Sequence, residues 1–560
     1  GMIVKMSKYA FMVYHREYDA FLTTLRELGV VHVKETNSIL DNAELQALLT
    51  ERKQVSTAIR YCKSLNSQTK GVTLAPAREL TKAEGLKLVG KLEEMQEKQV
   101  LLQAEKASLE KDIAYMDIWG EFSYANIRRL KKAGFDVTFF SCPTSKYEPK
   151  WGEEYNAFLV NNFQSVTYFV TVTKVGTPID IDAERPKMPD RGLAKLHLAM
   201  EQLLDNIKAL NNQLKEYAAG QYNTLVELEK NIQNEFNLSN TLMQTDREAG
   251  DKLMLLEGFV PTEEALAMEA ALEKDGYYFQ ELDIQDGDRV PIKLKNNKFS
   301  RLYEPITKMF SLPNYAEFDP TPFFAPFFML FFGLCFGDGG YGLLVIIACA
   351  IMKRKVGADF KPYLSLFQYL GLAALVVGTC TGSFFGIALV DVPAFASVKD
   401  YFVNSDNLMT FSIIIGLVQI VFGKAVAALK IMSQKGTKYG IAPFAWVFII
   451  IALCCAFGLP MLNVQLLGDT LSYIRLFAIG LTGAILGGVF NSLAVDMTEG
   501  MNVVLRAVCM LLILLVGHAI NIGLCTISSL VHPLRLIFVE YYKNAEFEGG
   551  GKEYKPFKKV

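Results

Sequence analysis

The chain has 560 residues, of which 51% are hydrophobic, 12% aromatic and 21% charged, with a formal net charge of −2. It is too long for one ordinary core, too apolar for a disordered polyelectrolyte, and too near neutral to attract nucleic acid through a global field. The averages hide a division, because the text is charged and mixed up to about residue 318 and mostly apolar from Thr321 to Leu536. That second half argues against a soluble enzyme.

Met2–Val33 reads as strand, helix, strand, with Gly29 placed as a helix C-cap. Met2–Tyr14 is short, mixed and followed by charge, unlike a secretory signal. Two later segments carry heptad spacing: Leu88, Leu92, Met95, Leu102, Leu109, Ile113 and Met116, then Leu196, Met200, Leu203, Ile207, Leu210, Leu214 and Tyr217. Gln99 and Lys106 interrupt the first seam. Such seams predict an antiparallel coiled-coil hairpin. Between them, Phe135–Val175 holds the β-rich runs FDVTFFSC, YNAFLV and SVTYFVTVTKV.

The expected fold class is therefore multidomain α+β followed by an all-α membrane part. Residues 1–85 and 250–318 are expected to form a proximal cytoplasmic α/β lobe, 86–120 and 190–245 a coiled-coil arm, and 121–189 a distal α/β lobe. The membrane domain is expected over 319–541, with a tail at 542–560. No GxxxxGK[ST], HExxH, GxSxG or Cys/His nucleophile pairing occurs, and none of the nine cysteines forms a CxxC pair. The expectation is a non-catalytic chain with no cofactor and no metal.

Tyr363–Val390, Tyr439–Gly468, Leu476–Val495 and Ala507–Val531 contain no Asp, Glu, Lys or Arg, and Thr321–Met352 contains only Asp338. About 20 such residues cross a bilayer as a helix. Lys353, Arg354, Lys355 and Lys361, then Lys424, Lys430, Lys435 and Lys438, then Lys552, Lys555, Lys558 and Lys559 mark three cytoplasmic regions. Thr321–Met352 is expected to break at Gly337-Asp338-Gly339-Gly340 into two short helices. Asp338 reads either as a cap at that turn or as part of an aqueous vestibule. Arg475 immediately precedes the Leu476–Val495 run, and Arg535 follows the Ala507–Val531 run by four residues. An arginine there costs a few kcal/mol and keeps its proton, so it faces a partner, water or a function unless it snorkels to the interface. His518, Asn521, Ser528 and Ser529 on the final run favour an ion path, although His518 alone also fits a helix–helix hydrogen bond. Gln419 reads as interhelical glue.

Several segments resemble subunit I of V/A-type rotary ATPases, the bacterial and archaeal counterpart of eukaryotic V-ATPase subunit a. They are LPNYAEFDPTPFFAPFFMLFFGLCFGDGGYG (Leu312–Gly342), GSFFG (Gly382–Gly386), SIIIGLVQIVFG (Ser412–Gly423), LLGDTLSYIRLFAIGL (Leu466–Leu481) and HPLRLIFVEYY followed by GGGKEYKPF. The resemblance implies a stator whose cytoplasmic arm binds E/G-type peripheral stalks, with a C/d-type central-stalk subunit as a further partner. Its membrane domain would abut a proteolipid (c/K) ring. The family's essential arginine falls on Arg475 and its second on Arg535. Candidate half-channel lining is Asp338, Ser472, Tyr473, His518, Asn521, Ser528 and Glu540. The implied location is a bacterial or archaeal plasma membrane, with arm and C-terminus cytoplasmic. The alternatives are a secondary transporter with a coiled-coil arm and a tethered scaffold with no ion path.

Where eukaryotic members have a histidine eight residues after the first arginine, this chain has Gly483; where they have a glutamate ten residues before the second, it has Cys525. Members carry eight spans, whereas about seven are visible here. An inside start leaves the chain outside after Pro460, so the Arg475 helix would run backwards against the positive-inside rule. A segment of roughly 40–50 residues, one span plus a connector, is therefore expected to be missing near 461–468.

Overall fold

The computed structural model describes residues 2–457 and 464–560, with the backbone alone at 2, 396, 399, 400, 453–457 and 464–466. In chain order the elements used below begin with β1 (Met6–Tyr14), α1 (Tyr18–Leu28), β2 (His32–Val33), α2 (Ala43–Gln68) and α3 (Lys82–Trp119). They continue with β3 (Phe135–Pro143), β4 (Ala157–Phe163), β5 (Val166–Lys174), α4 (Leu193–Met243), β6 (Leu253–Pro261), α5 (Thr262–Lys274) and β7 (Tyr278–Leu282). The apolar half supplies α6 (Thr321–Phe336), α7 (Gly339–Met352), α8 (Lys361–Thr381), α9 (Ser405–Lys435) and α10 (Thr437–Phe457). It ends with α11 (Val464–Leu471), α12 (Ile474–Asp496) and α13 (Val503–Arg535), which continues as a π-helical segment over Leu536–Tyr541.

The chain divides into two compact units, one of residues 35–244 and 559–560, the other of residues 1–34 and 245–558. In the first, α3 and α4 run antiparallel. Gly85 meets Leu228, the Tyr217 hydroxyl donates to the Leu88 carbonyl (2.6 Å), and Gln99 bonds across to Asn211 (3.0 Å). Farther along, Leu109 and Met116 pack with Leu196, Leu203 and Ile207. The polar interruption at Gln99 is thus satisfied by a polar partner. Residues 35–85, expected in the proximal lobe, belong here instead. Leu45, Leu48, Val55, Ala58 and Cys62 on α2 bury an apolar face against α3 and α4, a requirement that an amphipathic helix cannot meet alone. Beyond the helices lies a three-stranded antiparallel sheet in the order β3–β5–β4.

In the second unit, an antiparallel sheet runs β2–β6–β1–β7, with Asp246–Glu248 added beside β6. Helix α1 seats Phe21, Leu22 and Leu25, and stops at Gly29, whose φ of 62° places it in the left-handed region open to glycine.

Four helical stretches have the length and apolarity of membrane spans: Ala358–Thr381, Ser405–Lys435, Leu467–Asp496 and Val503–Asn544. The pair α6 and α7 is bent by 119°, and Thr437–Ala452 is a shorter apolar helix. The expected seven spans thus counted both arms of one bent pair. Glycine contacts set the directions. Gly342 abuts Gly371 and Leu375, and Gly333 abuts Ala373, so α7 doubles back along α8 while α6 runs with it. Helix α8 ends at Thr381 rather than near 390, because Gly382 adopts φ 75° and Ser383–Phe384 pairs with Ile387–Ala388.

Gly440 packs on Met432 and Ala428, making α9 and α10 antiparallel, and Gly517 on Phe490 does the same for α12 and α13. Helix α10 therefore leads away from the end marked by Lys430 and Glu546. Asp469 on α11 is back at that end, against Lys543 and Asn544, so α10 and α12 run the same way. The expected gap near 461–468 falls partly on residues 458–463, which lie outside the described residues.

Candidate ion-path site

Helix α11 gives way to α12 at Ser472-Tyr473. The Tyr473 ring is buried against Phe331, and its hydroxyl donates to Gln419 Oε1 on α9. That approach requires Gly416, where any Cβ would stand 2.4 Å from the tyrosine ring. Ser472 Oγ donates to the Gly468 carbonyl (3.1 Å) and neighbours the Glu540 carboxylate. Less than a turn later comes Arg475, whose Nη1 is buried without a hydrogen-bond partner among the described residues.

The facing end of α13 carries Ser529, His532 and Arg535. His532 lies in the field of both arginines, and the Glu540 carboxylate in that of Arg535 and Asp469. Arg535 itself is exposed. Pro533 removes one helical N–H, and the π-helical turns begin just after Arg535. Ser529 Oγ, His532 Nδ1, Glu540 Oε2, Tyr541 OH and Gln419 Nε2 are also buried and have no hydrogen-bond partner among the described residues. Buried polar atoms ordinarily have partners, so this set on α9, α12 and the end of the last helix, with His532 in the field of Arg475, marks a place for water or a passing polar group.

A second polar group lies farther along α12 and α13. His518 Nε2 contacts Asn491 Oδ1 (2.8 Å), while the Asn491 amide nitrogen donates to the Phe385 carbonyl (2.9 Å). Asn491 therefore presents an acceptor, so Nε2 carries the proton in the neutral ring and Nδ1 accepts from the Tyr341 hydroxyl. Asn521 Nδ2 donates to Tyr341 Oη (2.9 Å) and to the Gly483 carbonyl (3.1 Å). His518 is thus held between helices by hydrogen bonds.

Asp338 is a structural carboxylate with every contact supplied. It caps α7 through the N–H groups of Gly340 (2.9 Å) and Tyr341 (3.1 Å), and accepts from Phe385 N (2.9 Å), Gly386 N (2.8 Å) and the Ser383 hydroxyl (3.4 Å). It locks the GSFFG turn over the α6–α7 bend. Ser528 is half-buried beside the unpartnered Ser529.

His518, Asn521, Cys525, Ser529 and His532 repeat at steps of three and four, which puts one polar stripe about 21 Å long on α13. His532 was missed although this spacing was available to find it. Tyr341 and Asn491 had no comparable signal, since distant segments bring them together. The two positions that differ from the eukaryotic pattern face each other: a Cβ on Gly483 would stand 2.8 Å from Cys525 Sγ.

Residues 179–358 match the V-type ATPase 116kDa subunit family. The V-type ATP synthase subunit I of Borreliella burgdorferi is 26% identical over an alignment of 632 residues that covers 100% of both chains. The chain is similar to subunit I of V/A-type ATP synthases. The A-type ATP synthase subunit I of Methanocaldococcus jannaschii is 25% identical, with 55% of each chain covered. A crystal structure of the cytoplasmic N-terminal domain of a subunit I covers 49% of this chain at 15% identity and a TM-score of 0.25, too low to bear on the fold. These relatives are subunits of ATP synthases, and this chain, like a membrane subunit, carries helices long and apolar enough to cross a bilayer.

Proposed function

We propose that the chain is the stator and ion-translocating subunit of its complex, with half-channels formed against a ring of proteolipid subunits and peripheral stalks bound by the cytoplasmic arm. The observation that carries this is Arg475, a permanent charge on an apolar helix whose Nη1 has no hydrogen-bond partner among the described residues. A ring carboxylate brought there by rotation fills that vacancy. The guanidinium holds the carboxylate ionised, so it gives up its cation before crossing to the other half-channel, and the same charge bars direct leakage. Ser529, His532 and Glu540 supply polar lining on one side of Arg475, with Ser472 beside Glu540. Tyr473 orients the start of α12, while Asp338, His518 and Asn521 hold the far end of the path in register. Arg535 supplies a second charge at the same end. The arm and C-terminus lie in the cytoplasm of a bacterial or archaeal cell.

Arg475→Lys tests this directly. The expected result is normal assembly with ion transport and coupled ATP turnover lost, because an ammonium offers no planar fork and can shed its proton. Transport near the parental rate would refute the reading.

We also infer that a span with its connector is missing between α10 and α12. Two consecutive helices running the same way need a return crossing, and bare backbone is not tolerated in lipid. The alignment with the Borreliella relative is longer than the 560 residues here, which supports additional residues in that protein. Intact mass and gene sequence decide the matter: an uninterrupted gene for these 560 residues, assembling natively, defeats the inference.

A further inference from the structure

Beyond the π-helical segment the chain turns at Glu546 (φ 53°) and runs along the proximal lobe. Lys430 on α9 and Glu317, just before α6, form a buried ion pair at 3.6 Å, with side chains 7% and 2% exposed. Lys430 Nζ donates to the Glu546 carbonyl (2.7 Å). Glu317 accepts from the N–H groups of Glu548 (3.1 Å) and Gly549 (2.9 Å). The tail then seats residue by residue, with Gly551 N on Leu312 O (3.0 Å), Tyr554 N on Ile292 O (3.0 Å), Lys555 N on His32 Nδ1 (3.0 Å) and Phe557 N on Val31 O (2.7 Å). Three glycines make the path feasible: Gly549 and Gly550 have φ of 72° and 78°, and a Cβ on Gly551 would stand 2.0 Å from Pro313 O.

The other end of this track reaches the candidate ion path. Asn544 Nδ2 donates to the Glu540 carbonyl (2.7 Å) and to Asp469 Oδ2 (3.4 Å), tying the end of the long helix to α11 just before Arg475. A π-helical stretch has no strong intrinsic preference for its own geometry, so an outside restraint is needed to hold its depth. A buried ion pair contributes little net stability but penalises any arrangement that separates its charges, which suits it to fixing register.

We propose that Glu317 and Lys430 are positioning residues which clamp the C-terminal tail to the proximal lobe and thereby set the depth of the Arg535–Glu540 segment against Arg475. This rests on the ion-path reading above, and the test separates the two. In the assembled complex, Gly551→Val unseats the tail while both charged residues stay in place. The expected result is tryptic cleavage after Lys552, with ion-driven turnover per assembled complex reduced at least tenfold. Should Gly551→Val fail to assemble, the double variant Glu317→Gln/Lys430→Met removes both charges at similar volume, and the same reduction is expected. A merely structural tail lowers the yield of complex without changing turnover per complex, and that outcome overturns the proposal. Arg475→Lys is measured alongside: if it transports normally, the ion-path reading fails whatever the tail variants do.

Discussion

Gly480→Ala probes what sets the distance between α6 and α12. The added methyl would fall 2.2 Å from the Leu334 carbonyl oxygen, and the opposing Gly337 would itself tolerate no Cβ, having Gly480 O at 2.8 Å. Both obstacles are backbone, so no side chain can swing aside. The helices must part by about 1 Å to restore ordinary contact, and overpacking of this kind costs about 1–3 kcal/mol. For a membrane domain of this size that corresponds to roughly 2–10 °C in apparent Tm. Arg475 lies five residues upstream, so the displacement reaches it, and a 1 Å error in a reacting group costs on the order of 100-fold in rate. The assay is thermal aggregation of the detergent-solubilised complex together with ion-driven ATP turnover per complex. Gly523→Ala on α13 is the control: nothing lies within 4 Å of its Cβ, and helix propensity alone makes it neutral or slightly stabilising. The reasoning fails if Gly480→Ala melts within 1 °C of its parent and turns over normally.

Asp338→Ala orphans four backbone N–H groups at the α6–α7 bend and should cost at least about 3 kcal/mol, with Asp338→Asn intermediate. Hydrogen exchange in Ser383–Ala388 should rise in the same order, and protection equal to the parent would contradict the assignment. In the proximal lobe, burial alone would raise the Asp288 carboxyl. Hydrogen bonds from Lys8, the Gln285 N–H and Lys34 outweigh it and hold the group at about 2, against an ordinary 3.8. A depressed carboxylate stabilises the fold fully above its unfolded value and loses that contribution as pH falls through its folded one. About 2 kcal/mol of local stability should therefore disappear between pH 4 and pH 2. Amide exchange in β1, β6 and β7 reads this, and Asp288→Asn should flatten the profile over that window.

Some of the molecule was legible because local chemistry decides it. The strands of both lobes follow from period-two apolar runs between turn residues, and α1 ends where Gly29 was expected to end it. The break in Thr321–Met352 follows from a glycine cluster around one carboxylate, although only the fold shows that this carboxylate is consumed by backbone N–H groups. Helix α8 stops at Gly382, short of the apolar run's end, and the turn it opens is held in place by Asp338 from 45 residues away. The arm was read as a two-helix hairpin, since α2 lacks a clean heptad and declares itself only by what it covers.

The site divides along the same line. Sequence by itself determined that two unneutralisable charges sit in apolar helices and that α13 carries a polar stripe, because charge, length and periodicity are properties of the chain. Tertiary structure decided which stripe residues are satisfied and which are left open. His518 and Asn521 are occupied by Tyr341, Asn491 and a backbone carbonyl, whereas atoms of Arg475, Ser529, His532 and Glu540 are buried with no hydrogen-bond partner among the described residues. Partnership depends on which distant segments the glycine contacts bring together, and no spacing along the chain encodes that.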